Sequence, residues 1–238
     1  MGKKSDIVLI ENGKRLDGRK PLEIRDTEMK VGVIPNANGS SYVRFGKTIA
    51  IAAVYGPKLL YPKHLQESDR GIIQCRYNMA PFSVDERVRP GTSRRGTEIS
   101  KVIKLAFEPV LFLENYPKTG IDIYVEIIQA DGSTRVTSVN AASLALANAG
   151  IPMRDLVVGL SGGKISDTII LDLDGKEDNN SEADVPVAFM PNKKEITLLQ
   201  MDGQLTNEEL KDIIKNVMKN GEIVYKKQIE TLKKRYDE

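Results

Sequence analysis

The sequence is short of the residues that build disulfides and zinc sites. Cys75 is the only cysteine and His64 the only histidine among 238 residues. These counts exclude a disulfide within the chain and any structural zinc site that needs several cysteines or histidines. Because Cys75 stands in an alternating apolar run, we expect its thiol to be packed in the core rather than reactive.

The chain also has few aromatic residues and almost no net charge. Tryptophan is absent, aromatic residues make up 5% of the chain, and the formal net charge is +2. An extended platform for stacking bases is therefore not expected, and any contact with nucleic acid must come from local basic clusters. No apolar run approaches the ~18 residues of a membrane span, and the N-terminus does not resemble a signal peptide. We therefore expect a cytoplasmic protein with no membrane partner.

What the chain does contain is a hydrophobic fraction of 40%, arranged as alternating strand and helix patterns. The order is strands, helix, strand, helix, strands, helix, which predicts one α+β domain with mixed sheets packed with helices. We expect residues 1–238 to form this single domain, with residues 1–12 as a basic N-terminal arm. The predicted strands are 28–34, 39–45, 48–55, 72–79 and 121–128, with more within 156–201; the predicted helices are 94–113, 134–149 and 207–236.

Local signals refine these elements. Gly46-Lys47 predicts a tight hairpin turn, and Thr206 with Glu209 predicts a capping box at the start of the last helix. Gly221 is expected to bend or split that helix, and Pro186 suggests an edge strand or a bulge. Because Gly96 is a poor helix former, we expect a late start for the helix that follows Ser93.

Three clusters could carry chemistry, and the first is basic. Arg87, Arg89, Arg94 and Arg95 lie within nine residues, and Ser93 is a candidate N-cap that would put Arg94 and Arg95 in the first helical turn. Cations there oppose the helix dipole, and a bound phosphate would remove the conflict. The alternative is a solvated arginine loop paired with nearby acids.

The second cluster is Gly132-Ser133-Thr134-Arg135, between a strand and a helix. Free backbone N–H groups, two hydroxyls and a guanidinium at a helix start favour an anion, and glycine allows close approach. The spacing is not that of a Walker A loop. The alternative is an ordinary serine N-cap after an Asp-Gly turn.

The third cluster is acidic and contains Asp172, Asp174, Glu177, Asp178, Glu182 and Asp184. Hard oxygen ligands suit Mg²⁺ or Mn²⁺, and one carboxyl group could act as a general acid. The alternative is a solvated acidic loop. Together the three clusters describe a phosphate clamp and an acid pair, which phosphoryl transfer requires. The residues alone do not choose between a kinase-like, a nuclease-like and a phosphorolytic reaction.

The same residues resemble those of a known family. Arg15-Leu16-Asp17-Gly18-Arg19, the run from Ser93 to Ile103, Asp131–Arg135, and Glu177-Asp178 followed by Asp184 are similar in kind and order to motifs of RNase PH-type proteins. The resemblance covers about residues 10 to 235. Pro62-Lys63-His64-Leu65 and Pro81-Phe82-Ser83 look most like the catalytic ring subunit of the archaeal exosome.

The resemblance implies a fold like the second domain of ribosomal protein S5 and a phosphorolytic, metal-dependent 3′-to-5′ exoribonuclease. It implies a six-membered ring with an inactive paralogue, caps that carry RNA-binding domains, and RNA as the substrate. A homohexameric RNase PH that trims transfer RNA and a non-catalytic ring subunit remain alternatives.

The resemblance also assigns roles to residues. Gly132, Ser133, Thr134 and Arg135 would bind inorganic phosphate, while Arg94, Arg95, Lys63 and His64 would bind RNA. Asp178 would be the general acid and Asp184 would hold Mg²⁺ or Mn²⁺, with Asp178 as a second ligand. The roles of the two aspartates could be exchanged.

Overall fold

The computed structural model describes residues 9–11 and 13–237 of the chain. Its strands are β1 (Ile10–Glu11), β2 (Lys14–Arg15), β3 (Thr27–Val31), β4 (Gly39–Phe45), β5 (Thr48–Leu59), β6 (Ile72–Met79), β7 (Thr119–Gln129), β8 (Val158–Ile165), β9 (Thr168–Leu171), β10 (Ala183–Met190), β11 (Glu195–Leu199) and β12 (Asp202–Gly203). Its α-helices are α1 (Arg94–Phe107), α2 (Thr134–Asn148), α3 (Gly175–Asn180) and α4 (Asn207–Asp237), and short 3-10 turns lie at Lys63–Leu65 and Leu113–Asn115.

The first large sheet has the strand order β3-β4-β5-β7-β6. Gly46 and Lys47 form the predicted two-residue turn between β4 and β5, with Phe45 opposite Thr48 and Gly46 at a φ of +55°. Only β6 and β7 run parallel, with α1 between them along the chain. The carboxyl ends of these two strands therefore lie side by side at the same end of the sheet. This brings the segment before α1 close to the turn before α2.

The second large sheet has the order β11-β10-β8-β9, and β12 also pairs with β10. Helix α2 lies between the two sheets and contacts β4, β5 and β8. Its residues from Val136 to Leu146 are all buried. A Cβ on Gly39 would lie 2.3 Å from the Ala145 carbonyl oxygen, and one on Gly159 would lie 2.8 Å from that of Val136. Small residues on both sides thus let the sheets close on the helix, and one apolar core joins them.

Helix α4 packs across β8, β9 and β3, and its N-terminal capping box is confirmed. The backbone N–H groups of Thr206 and Glu209 each donate to the other residue's side chain, at 2.8 and 3.3 Å. The expected split at Gly221 is wrong, because α4 continues through it; the alternative expectation of a bend stays a prediction. A Cβ there would lie 2.6 Å from Cζ of the buried Phe189 ring, so this glycine is needed for packing.

Helix α1 begins at Arg94, the first residue of its predicted range, and ends earlier than predicted. Ser93 caps it, with its hydroxyl accepting from the Gly96 N–H at 2.9 Å, so the late start expected from Gly96 is wrong. The helix ends at Phe107 rather than at residue 113, and Leu111 then forms a bridge with Met153.

Strand β10 is an inner strand, so of the two alternatives expected at Pro186 the edge strand is wrong, whereas the pairing of β10 with β11 does contain an irregularity, between Ala188 and Phe189. On one side β10 pairs with β8; on the other, β11 ends opposite Val187 and β12 pairs with Asp184 and Ala183. The Pro186 carbonyl faces this gap and accepts from the Gln200 N–H at 3.2 Å. Since the missing N–H of proline would point into the same gap, it interrupts no regular ladder bond.

Most of the predicted N-terminal arm lies outside the described residues. In the part that is described, Leu9 is buried against Ile165, Ile170 and Leu173, and β1 pairs with β2. Among the helices of residues 9–11 and 13–237, none is long and apolar enough to cross a membrane.

Candidate active site

One cleft of about 850 Å³ brings together residues from all three sequence clusters. It lies where the start of α1, the start of α2, α3 and the paired strands β10 and β12 meet. Its lining consists of Arg94, Arg95, Glu98, Arg135, Asp178, Asn179, Ser181, Glu182, Ala183, Asp184, Asp202 and Gly203. Five predicted site residues therefore share one space: three arginines and two aspartates.

The arginines are held at two helix starts. Because Ser93 caps α1, Arg94 and Arg95 occupy its first turn, exposed to solvent and unfavourably placed in the helix dipole. Arg135 lies at the second position of α2 and donates from Nη2 to Glu98 at 3.2 Å. Its Nε is buried and has no partner among the described residues. This unused donor and the two exposed guanidinium groups are suited to an anion that carries several oxygens.

The two aspartates carry perturbed carboxyl groups. Burial raises the pKa of Asp184 to about 7, and the nearby Asp178 carboxylate raises it as well. Burial also raises the pKa of Asp178, although Arg95 and Arg135 oppose this. Near neutral pH the pair therefore holds a proton for part of the time, as a general acid requires.

A third carboxylate, Asp202, was not predicted from the sequence. It lies directly opposite Asp184 in the β10–β12 pair, and its negative charge raises the pKa of both Asp178 and Asp184. Gly203, at a φ of +102°, allows this approach, since a Cβ there would lie 2.1 Å from the Glu182 carbonyl oxygen. In the sequence, the signal that could have pointed to Asp202 was the Asp202-Gly203 pair, but such a pair is typical of many turns and does not indicate a functional site.

The turn before α2 is fixed by contacts within the protein. Ser133 adopts left-handed backbone with a φ of +53°, and its hydroxyl lies 2.8 Å from the Leu173 carbonyl oxygen and 2.7 Å from Oγ of Ser161. Thr134 is buried, and a Cβ on Gly132 would lie 2.4 Å from the Asp174 carbonyl carbon. What this turn offers an anion is therefore the free N–H groups at the start of α2 together with Arg135, rather than the hydroxyl of Ser133.

The structure divides the acidic cluster into three kinds of group. Asp172 and Glu177 are completely buried in ion pairs with arginines of the N-terminal segment. Asp174 caps α3, and Glu182 pairs with Lys164 at 3.4 Å. Asp178 and Asp184 are the members whose pKa is raised in the cleft.

Lys63 and His64 do not line this cleft. They are exposed on the 3-10 turn that follows β5, near the first residues of β7. Asp131 and Arg135, in contrast, follow the last residues of β7. An eleven-residue strand spans roughly 35 Å, so these side chains lie towards the opposite end of the sheet. Their contact with RNA stays a prediction. It would involve RNA nucleotides that lie far from the cleft.

The residues of the cleft fit a hydrated Mg²⁺ or Mn²⁺ ion. Within the described part of the chain, no group of three His, Cys, Asp or Glu side chains is arranged to enclose a metal. Mg²⁺ is commonly held by one or two carboxylates and keeps several waters, so Asp178 and Asp184 are a suitable donor pair. A cation would also relieve the repulsion that raises their pKa.

Comparison with solved structures supports the fold. Rice Rrp46 superposes with a TM-score of 0.83 at 24% identity, over 92% of this chain and all of the other. The exosome of Archaeoglobus fulgidus with RNA bound to its active site gives 0.80 at 21% identity, over 91% and 93%. The RNase PH-like, α+β fold expected from the sequence is confirmed.

Comparison of sequences gives the family. The chain is 60% identical to the exosome complex component Rrp41 of Pyrococcus furiosus over 229 residues, covering 96% of this chain and 92% of the relative. It is 58% identical to the same component of Thermococcus onnurineus over 237 residues, covering 99% and 95%. Models of the 3′ exoribonuclease family match residues 23–152 as domain 1 and 155–220 as domain 2. The family models treat these two ranges as separate domains, whereas the structure shows one apolar core that both ranges share. The single-domain organisation therefore stays a prediction. The chain belongs to the 3′ exoribonuclease family of RNase PH-type proteins.

Proposed function

We propose that this chain shortens RNA from its 3′ end by phosphorolysis, as the catalytic subunit of an exosome-type ring. The observation that carries the proposal is the cleft that gathers Arg94, Arg95 and Arg135 beside Asp178 and Asp184. Phosphoryl transfer depends on positioning and charge neutralisation, and this cleft supplies both signs of charge together with a proton donor.

Inorganic phosphate would bind at the start of α2, on the N–H groups that follow Gly132 and Ser133 and on Arg135. One of its oxygens attacks the phosphorus of the terminal phosphodiester, and the bond from that phosphorus to the 3′ oxygen of the penultimate nucleotide breaks. The product is a nucleoside diphosphate whose outer phosphate is the attacking one. Arg94 and Arg95 hold the phosphate of the 3′-terminal nucleotide and offset the charge that develops.

Asp178 gives a proton to the departing 3′ oxygen, and Asp184 would hold the divalent cation; the two roles could be exchanged. Burial and the nearby Asp178 carboxylate raise the pKa of Asp184 to about 7, so the pair carries a proton for part of the time near neutral pH. Mg²⁺ or Mn²⁺, when bound, supplies charge neutralisation at the phosphate oxygens. Excess nucleoside diphosphate would drive the reverse reaction and add a tail to the RNA.

The relatives named as exosome components support assembly into a complex. We propose a hexameric ring in which this chain alternates with an inactive RNase PH-like paralogue, with caps that carry RNA-binding domains, in the cytoplasm. The net charge of +2 supports this division, because a nearly neutral chain attracts RNA weakly and depends on partners for capture. Native mass measurement of the chain alone and with the paralogue tests it. A stable, active homohexamer would instead support an RNase PH that trims transfer RNA.

The decisive experiment is to incubate the assembled protein with a 3′-labelled RNA and Mg²⁺, with and without inorganic phosphate. We expect phosphate-dependent release of nucleoside diphosphate. Release of nucleoside monophosphate at the same rate without phosphate would refute phosphorolysis. Asp178→Ala should abolish activity, whereas Asp85→Ala, at an exposed aspartate outside the cleft, should not.

A further inference from the structure

Three arginines of the N-terminal segment hold the elements that carry the catalytic groups, although none of them lines the cleft. Arg15, Arg19 and Arg25 are all buried, with 3%, 9% and 7% of their surface exposed. Their carboxylate partners Asp172 and Glu177 are completely buried. A buried ion pair is often no more stabilising than apolar side chains of the same volume, and its best-attested benefit is a defined geometry. The elements that this network holds in place are β9, α3 and the turn before α2.

Arg15 fixes the position of α3. Its Nε donates to Oε1 of Glu177 at 2.6 Å, and its Nη2 contacts the other oxygen of the same carboxylate. Nη1 and Nη2 also donate to the carbonyl oxygens of Leu171 and Asp172, at 2.6 and 2.9 Å. One planar guanidinium thus joins the end of β9 to α3, a geometry that the point charge of lysine cannot reproduce.

Glu177 in turn determines where α3 begins. Its carboxylate accepts from the Asp174 N–H at 2.9 Å, while Asp174 accepts from the Glu177 N–H at 2.9 Å. A helix of six residues has little stability of its own and depends on such anchors. The residue after Glu177 is Asp178, so Arg15 acts on the proposed general acid through one intervening residue.

Arg25 connects the same segment to the turn before α2. It donates from Nε and Nη2 to the two oxygens of Asp172, at 2.9 and 2.6 Å, and from Nη1 to the Asp131 carbonyl oxygen at 2.6 Å. The Asp131 side chain accepts from the N–H of Gly175, the first residue of α3, at 3.2 Å. The turn before α2 is therefore bonded to α3 as well as to Arg25. The elements that carry Asp178 and Arg135, which both line the cleft, are thereby joined by one network.

We infer that Arg15, Arg19 and Arg25 are positioning residues, which set the separation between the general acid of α3 and the phosphate-binding start of α2. This inference rests on the proposed function. Arg19 supports the other two, because its Nη1 donates to the Asp172 carbonyl oxygen at 3.1 Å. Since a displacement of about 1 Å can cost 100-fold in rate, a small distortion of this network should slow the chemical step without emptying the binding site.

The test compares Arg25→Lys with Arg44→Lys in the assembled full chain. Arg44 also bonds two acids, Asp26 at 3.0 Å and Glu28 at 3.2 Å, but its side chain is half-buried, it has no bond to Asp172 or Glu177, and it does not line the cleft. We expect kcat of Arg25→Lys to fall about 10- to 100-fold while KM for RNA changes less than threefold, because Arg94 and Arg95 are not held by the network. A kcat within twofold of Arg44→Lys, or a rise in KM that accounts for the whole loss, would overturn the inference.

A second variant separates positioning from stability. In the double variant Arg15→Met with Glu177→Met, both charges are removed, so no charge is left buried without a partner and the fold should persist. We expect a melting temperature near that of the native protein together with a reduced kcat. Full activity in this variant would also overturn the inference. Failure of the proposed function would be recognised separately, in the native protein, by the absence of nucleoside diphosphate. The same kcat comparison would then still test positioning, for whichever cleavage the cleft performs.

Discussion

Replacing Asp184 by asparagine should abolish activity and at the same time stabilise the metal-free protein. The side chain is partly buried, faces Asp178 and lies opposite Asp202, so its negative charge is unfavourable in the folded state. Asparagine keeps the volume and removes the charge. Residues that serve chemistry at a cost in stability behave in this way.

The magnitude follows from the pKa of the group. Burial raises the Asp184 pKa from 3.8 to about 7, and each unit corresponds to about 1.4 kcal/mol, which sets an upper bound of about 4 kcal/mol. Because the side chain is partly exposed and water screens part of the effect, we expect a gain of about 1–3 kcal/mol at pH 7.5. For a chain of this length, each kcal/mol raises the melting temperature by roughly 2–4 °C.

The stability difference between the native protein and the Asp184→Asn variant should depend on pH, and its direction follows from proton binding. Between pH 4 and 7 the folded native protein binds more protons at Asp184 than the unfolded chain does, so its stability falls as pH rises through this window. The variant lacks this loss. The two proteins should therefore be nearly equal in stability at pH 4, and the difference should grow to its full size above pH 7.

The assay is urea unfolding at pH 4, 5.5 and 7.5 with a chelator present, with Asp85→Asn as a matched control at an exposed aspartate. Added Mg²⁺ should stabilise the native protein and not Asp184→Asn. A variant that is less stable than the native protein at pH 7.5, or a difference that is the same at all three pH values, would refute the reasoning.

Other predictions follow from the packing and from the position of the basic residues. Gly221→Ala should destabilise the fold by about 1–3 kcal/mol in urea unfolding, because the added methyl group meets the buried Phe189 ring; a gain in stability would mean that the ring can move. Since burial raises the pKa of the Cys75 thiol to about 12, iodoacetamide at pH 8 should label the unfolded chain and leave the native protein unmodified by mass. Lys63→Ala should raise KM for long RNAs and leave KM for short oligonucleotides unchanged, since this residue lies far along the sheet from the cleft; equal effects on both would contradict a distant contact.

The helices and hairpins with strong local signals could be predicted from the sequence. The β4–β5 hairpin, the start of α1 at its serine cap, α2 and the capping box of α4 each depend on residues within a few positions of one another. The errors fall where a distant partner decides. Gly221 was expected to bend or split α4, but the helix is not split. The ring that requires a glycine there belongs to β10, which the sequence does not place beside it.

The candidate site shows the same division. The sequence determined which residue types were available: arginines at two helix starts, a run of acids, and the order of motifs that indicates the RNase PH-type family. The resemblance singled out Asp178, but the residue pattern by itself could not separate Glu177 from Asp178, because neighbouring carboxylates look alike. Tertiary structure separated them, since the partner of Glu177 is Arg15, 162 positions earlier in the chain, while Asp178 is left to the cleft beside Asp184. Asp202 joined the site only because β12 pairs with β10. Local periodicity and capping are short-range effects that a sequence shows directly, whereas burial, charge pairing and the resulting pKa of each carboxyl group depend on which distant segments the fold brings together.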